Sequence, residues 1–220
     1  MTARKRAAGP DVGLAELLAW RPLAAAPELL GAVLEVGSGP TRRSGRIVEV
    51  EAYEAENDAA SHAYRGQTPR NGVMFGPAGH LYVYRSYGVH WCANIVCGRD
   101  GVAGAVLVRA VEPLDGIELM WPDRPKARAV TDLASGPGKL CAALGIHGGH
   151  DGVELLAADS PVRLLAAPTV DRAPVVDGPR IGITKAVERR WRFAAAGNPH
   201  VSRPRPPGFG QGNRPAPATG

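Results

Sequence analysis

The chain has 220 residues, 45% hydrophobic and 21% charged, a length that supports one well-packed domain and is short for two. Its net charge of +5 overstates the basicity of the folded part: Arg4, Lys5 and Arg6 at one end and Arg203, Arg205 and Arg214 at the other face no nearby acid and together exceed the whole surplus. No run of 18 apolar residues and no signal-peptide core is present, which excludes a helical membrane span and predicts a cytoplasmic protein.

In chain order, residues 1–10 are expected to be a disordered basic tail, 11–202 the folded domain, and 203–220, rich in proline and glycine, a second disordered tail. Asp11 is the expected N-cap of a helix through Leu14, Leu17, Leu18 and Trp20, and Pro27 is expected to open a second short helix ending near Gly31. Residues 32–36, the turn GSGPTRR and residues 45–53 read as a hairpin, with Val48, Val50 and Ala52 on one face and Glu49, Glu51 and Tyr53 on the other. Residues 54–80 lack periodicity and predict a long ordered loop, of the kind that serves a site. Residues 81–87 and 90–96 form a second hairpin pinched at Gly88, with His90, Cys92 and Asn94 on one face, and 103–111 supply a further strand. The pattern turns helical at Leu114, breaks at WPDRP and returns in SGPGKLCAALGI. Residues 161–166, 180–184 and 191–195 read as short late strands.

Chemistry concentrates between residues 46 and 94, which hold all five tyrosines, Tyr53, Tyr64, Tyr82, Tyr84 and Tyr87. Flat, hydrogen-bonding rings beside Glu51 point to a site for a planar ligand. Residues 61–110 also carry Arg65, Arg70, Arg85, Arg99 and Arg109 against Asp100 alone, a local positive charge suited to phosphate. Glu49 and Glu51 share a strand face; they fit a glycosidase acid/base pair, a single general base at Glu51, or the solvated face of an edge strand. Tyr82 and Tyr84 project to one side of their strand, as core residues or as a wall. Tyr87 sits where the hairpin turns and is a candidate wedge into something stacked. His62 and Asn94 supply donors and acceptors able to read a base edge, or serve structure alone. Arg109 is expected to emerge at its strand's end, near the site or paired with Glu112 or Asp115. Cys92, Cys97 and Cys141 make no CxxC pair or zinc-spaced cluster, so buried reduced thiols and no metal are expected. GPAG and SGPG are too short for phosphate cradles, and no nucleotide cofactor is assigned.

The stretches GRIVEVEAY, DAASHAYRGQTPRN, VMFGPAGHLYVYRSYGVHWCANIVC, VLVRAVEPLDG, SGPGKLCAALGI, RIGITKAVE and GNPHVS, in order from about residue 22 to 202, resemble the alkyladenine (3-methyladenine) DNA glycosylase family, the single-domain type without a helix-hairpin-helix. The resemblance implies a single compact α+β domain with a curved, mainly antiparallel sheet, surrounding helices, and a hairpin that enters the DNA minor groove. It implies a monomer that flips alkylated or deaminated purines out of double-stranded DNA and hydrolyses the N-glycosidic bond without cofactor. Position by position, it casts Glu51 as general base with Arg109 beside it and its water, Tyr53, His62, Tyr84 and Asn94 as the base pocket, and Tyr87 as the intercalating wedge. Arg70, Arg85 and Lys139 are the candidate contacts to the DNA backbone. The pair Arg85–Ser86 departs from the more apolar pair expected at the hairpin tip. No lysine falls at the reacting position, so a monofunctional enzyme that leaves an abasic site uncut is expected. Two rivals stand beside this reading: a non-catalytic nucleic-acid-binding module of the same fold, and a carbohydrate-active hydrolase using Glu49 with Glu51.

Overall fold

Alternating apolar residues and tight turns build two antiparallel hairpins, and a fifth strand joins them into one sheet. In the computed structural model, which describes residues 13–55, 57–166 and 173–210, these are β1 (Val33–Val36) with β2 (Arg43–Glu54), β3 (Leu81–Ser86) with β4 (His90–Val96), and β5 (Gly104–Pro113) between β4 and β2. Short strands β6 (Val162–Leu165), β7 (Val175–Gly178) and β8 (Arg192–Ala195) complete it. Every pairing is antiparallel, in the order β3-β4-β5-β2-β1-β6. The side of β2 away from β5 is shared: residues 43–46 pair with β1, while residues 49–51 pair with β8, which in turn carries β7. The sheet thereby curls into a half-barrel within a mixed α+β domain. The outer edge of β3 is covered by a returning segment, through Val83 N–H to Asp151 and Leu81 N–H to the Val153 carbonyl.

Among the described residues, five short α-helices surround the sheet: α1 (Leu14–Leu18), α2 (Pro22–Glu28), α3 (Ile117–Asp123), α4 (Val130–Leu133) and α5 (Pro137–Leu144). Period-two alternation decides which sheet face they cover. Val50 and Ala52 of β2, Leu81 and Val83 of β3, Ala93 and Ile95 of β4, and Val106 and Val108 of β5 form one core with Leu17, Leu18, Ala25, Leu29, Leu140 and Leu144 of the helical layer. Gly104 lets α2 close down on β5, since a Cβ there would sit 2.7 Å from the Pro22 ring. The opposite face carries the polar and aromatic residues.

Several expectations need correction. α1 is preceded by Gly13 as its N-cap, and Asp11 lies outside the described residues, as do residues 1–10. Pro22, not Pro27, opens α2, because its fixed φ suits the first helical position; Pro27 lies inside the last turn. Val48 does not share a face with Val50 and Ala52. The β2–β5 register shifts between Ile47 and Glu49 and again between Glu49 and Val50, and this irregularity resets the alternation. Ile47 joins the main core, while Val48 joins a second cluster with Ala110, Val176, Ala194 and Val201. Residues 180–184 form a loop, and the strand before β8 is 175–178. Residues 203–210 are not a free tail: Phe209 packs on the second cluster, its carbonyl accepting from Gly197 N–H, and residues 211–220 lie outside the described set.

Candidate active site

The face opposite the helices gathers its residues by strand register. Glu51 on β2 is paired with Leu107 on β5, Leu107 with Asn94 on β4, and Asn94 with Tyr82 on β3, so one row crosses four strands. Tyr84, paired with Cys92, and Tyr53 lie in neighbouring rows. All of these side chains except Glu51 help line a cavity of about 820 Å3, with His62, Arg70, Arg109, residues 181–185 and, at the hairpin, Ser86 and Tyr87. That volume suits a ligand far larger than water.

Glu51 has no exposed surface and lies directly behind the cavity wall, held by three groups that line it. Tyr53 donates its hydroxyl to Oε2 at 2.8 Å, the Ile181 N–H donates to Oε1 at 2.7 Å, and Arg109 Nη1 stands 3.3 Å from Oε1. Oε2, with Tyr53 as its one protein donor, keeps a further lone pair for a water. Burial, and next the Glu51 charge, push the Tyr53 phenol well above its usual range, so it remains a donor. Arg109 corrects the expectation that it would emerge at the strand's end. It falls at the β2–β5 irregularity, is buried, and reaches Glu49 at 3.4 Å as well as Glu51. Glu112 pairs with Arg46 and Asp115 with Arg42 instead.

Glu49 is neither solvated nor free to act as a second catalytic carboxylate. It too has no exposed surface, and accepts bonds from Arg192 Nε, the Ser202 N–H at 2.8 Å and the Ser202 hydroxyl at 3.0 Å. Both carboxylates lie on an interior strand, which removes the edge-strand reading.

The cavity walls are aromatic. Tyr82 and Tyr84 stack with ring centroids 5.5 Å apart, and the His62 ring stands edge-on to Tyr84 at 4.4 Å. His62 Nδ1 lies 3.1 Å from the Tyr82 hydroxyl. Burial, and then the Arg70 charge, hold the His62 pKa below its ordinary value, which keeps the ring neutral near pH 7. Burial pushes Tyr82 up to about 12 and Tyr84 higher still. Asn94 Nδ2 donates to the Tyr82 carbonyl at 3.0 Å, fixing the amide's orientation. Asn71 explains the TPRN step: its amide donates to the carbonyls of His62 and Gly66, so the loop holds His62 in place.

Tyr87 is 91% exposed at the hairpin tip, in the left-handed region at φ 49° beside Gly88 at φ 69°. A bulky residue there is an outlier, a strain of the kind found at functional sites. Val89, next to it, is 64% exposed. Arg70 donates to the Arg85 carbonyl at 3.0 Å and lies over the Tyr84 ring; Arg85 itself is exposed against Trp91. Lys139 is exposed in the first turn of α5, bonded to Ser135. That turn approaches the turn end of the hairpin so closely that a Cβ on Gly138 would meet His90 at 2.8 Å. The three cations thus lie around the cavity mouth and hairpin.

Sequence reasoning missed four contributors. Ile181 supplies a backbone donor, Arg180 and Asp58 form a buried pair beside Tyr53, and Lys185 lines the cavity. The signal for the loop was Pro179 and Gly182, the latter at φ 76°, which break the apparent strand. The cysteines are unpaired and buried, as expected. Among the described residues no three His, Cys, Asp or Glu side chains are grouped to hold a metal ion, and no helix is long and apolar enough to cross a membrane.

The family description Methylpurine-DNA glycosylase (MPG) matches residues 16–199. The chain is 49% identical over 179 residues to a protein of Burkholderia lata, covering 81% of this chain and 85% of that one. It is 53% identical over 186 residues to a protein of Mycolicibacterium fortuitum (82% and 92% covered), and 52% identical over 184 residues to one of Rhodopseudomonas palustris (81% and 84%). All three are named "Putative 3-methyladenine DNA glycosylase".

Proposed function

Because this chain belongs to the methylpurine-DNA glycosylase family, and is a 3-methyladenine DNA glycosylase that acts on alkylated bases in DNA repair, we propose that Glu51 is its general base and the tyrosine-walled cavity its base pocket. The observation that carries this reading is the fully buried Glu51 carboxylate, held by Tyr53, Ile181 and Arg109 immediately behind that cavity.

A glycosidic bond inside a stacked duplex is out of reach, so the nucleotide must be extruded. Tyr87, exposed on the hairpin, fills the gap left in the stack, and Arg70, Arg85 and Lys139 hold the phosphates around it. Purines alkylated on ring nitrogen 3 or 7 are cationic, poorly paired and weakly bonded to the sugar, which favours both extrusion and departure. Tyr53 and Tyr84 attract such a base, about 0.5–2 kcal/mol per well-placed ring. The neutral His62 adds no opposing charge, and Asn94 meets the base edge with a fixed amide.

Glu51 takes a proton from water as that water attacks the anomeric carbon, and its charge stabilises the oxocarbenium-like transition state. Arg109 offsets the cost of burying Glu51 and helps orient the water. The exposed Lys185 is a phosphate contact, and base release leaves an abasic site uncut. One chain supplies the groups of the proposed site, which supports action as a monomer. Incubating methylated duplex DNA with the protein, then treating it with alkali, tests the reading: strand breaks must appear at methylated purines, only after alkali, above a no-protein control. Absence of breaks would favour the non-catalytic binding module.

A further inference from the structure

The loop between β7 and β8 forms one wall of the cavity, and both of its ends are tied to the backbone of one residue, Ala52, which follows Glu51. The Ala52 N–H donates to the Trp191 carbonyl at 2.9 Å, and Arg180 Nη1 donates to the Ala52 carbonyl at 2.9 Å. The same guanidinium makes a two-pronged pair with Asp58, at 2.7 and 2.6 Å, and lies over the rings of Tyr53 and Trp191 at 4.5 and 5.2 Å. The peptide N–H immediately after it, on Ile181, is the one that donates to Glu51. Neither side chain of the Arg180–Asp58 pair has exposed surface, and the buried Arg180 Nε has no hydrogen-bond partner.

We propose that Arg180, clamped by Asp58, is a positioning residue for Glu51: it fixes the Ile181 N–H on one carboxylate oxygen and the Tyr53 ring that bonds the other. This rests on the reading of Glu51 as base. Asp58 stands in the loop after β2 and Arg180 122 residues later, so the pair fastens two separate cavity walls to the strand that bears the base. A buried ion pair with an orphaned N–H is a costly way to gain stability alone, because desolvation consumes most of the attraction. Its value lies in the geometry of the two donors. Loss of a donor to the charged form of a carboxylate raises its pKa, and loss of alignment slows the chemical step.

The test compares Arg180→Met, Arg180→Lys and Asp58→Asn with wild type and Glu51→Gln in single-turnover release of methylated purine from duplex DNA across pH, alongside lesion-duplex affinity and thermal unfolding. Asp58→Asn can keep one of the two turn bonds, which run from the Glu54 N–H to Oδ2 and from the Ala60 N–H to Oδ1, while removing the charge. The expected result is a rate per active molecule lower by roughly 10- to 100-fold in Arg180→Met, with affinity changed less than about 3-fold. Its acid limb should move to higher pH, and Arg180→Lys should fall between. Should Arg180→Met fail to fold, Arg180→Lys and Asp58→Asn must show the same shift. Variants that are less stable yet keep the wild-type rate per active molecule and the wild-type acid limb overturn the inference while an inactive Glu51→Gln leaves the base reading standing. An active Glu51→Gln would instead overturn the base reading and this inference with it.

Discussion

The Tyr53 hydroxyl donates to Glu51 Oε2 at 2.8 Å, from a residue two positions along the same strand face. Replacing Tyr53 by Phe keeps the ring in the cavity wall and removes one donor to the carboxylate. The acid limb of the pH–rate profile should rise, and stability should fall by about 1–3 kcal/mol because a buried acceptor loses its partner. Single-turnover kinetics between pH 5 and 8, with thermal unfolding, check both.

Glu49 and Glu51 should separate cleanly. Glu49→Gln weakens a buried cluster with Arg192, Arg109 and Ser202, and should cost about 3–5 kcal/mol of stability while the folded fraction keeps turning over. Denaturation midpoints and activity per folded molecule give the comparison; equal kinetic damage from Glu49→Gln and Glu51→Gln would revive the paired-carboxylate hydrolase.

Tyr87→Gly should cost function with little change in stability. Glycine accepts φ 49° without strain but is more disordered when unfolded, so stability should change by less than about 1 kcal/mol. Affinity for a lesion in duplex DNA should fall more than for the same lesion in a single strand. Equal losses on the two substrates would count against the wedge.

His62 makes a prediction about pH. Its folded pKa lies below the ordinary 6.5, through burial and then Arg70, so the unfolded chain binds this proton more readily. The contribution of neutral His62 is complete above pH 6.5 and is lost as pH falls through that value toward the folded pKa. His150 and His200 are shifted the same way. His62→Gln should therefore reduce, without abolishing, the loss of thermal stability between pH 7.5 and 5.5.

The cations around the cavity mouth should act through phosphates. Alanine at Arg85 or Lys139 should weaken binding to lesion and undamaged duplexes alike, and lower the salt-dependence slope of binding by about one each. A loss confined to the lesion duplex would assign that residue to base recognition instead.

The hairpins and the split between core and site faces were legible because a strand repeats every two residues: Leu81 and Val83 against Tyr82 and Tyr84 state both faces at once. Tyr87 was legible because a turn at Gly88 leaves it no sheet to be buried by. Arg109 and Val48 were misplaced because a register shift depends on both paired strands, and neither strand announces it alone. Arg180 was invisible because RIGIT alternates like a strand, and what turns Arg180 inward is Asp58, far away in sequence. The fate of Glu49 was hidden for the same reason, since Ser202 and Arg192 come from the far end of the chain.

Single-turnover release of 3-methyladenine from duplex DNA by wild type and Glu51→Gln, with lesion-duplex affinity measured in parallel, decides whether this carboxylate drives the reaction. The variant should bind the lesion duplex nearly as well as wild type and release almost no base. Release by Glu51→Gln at a rate close to wild type would place the base elsewhere.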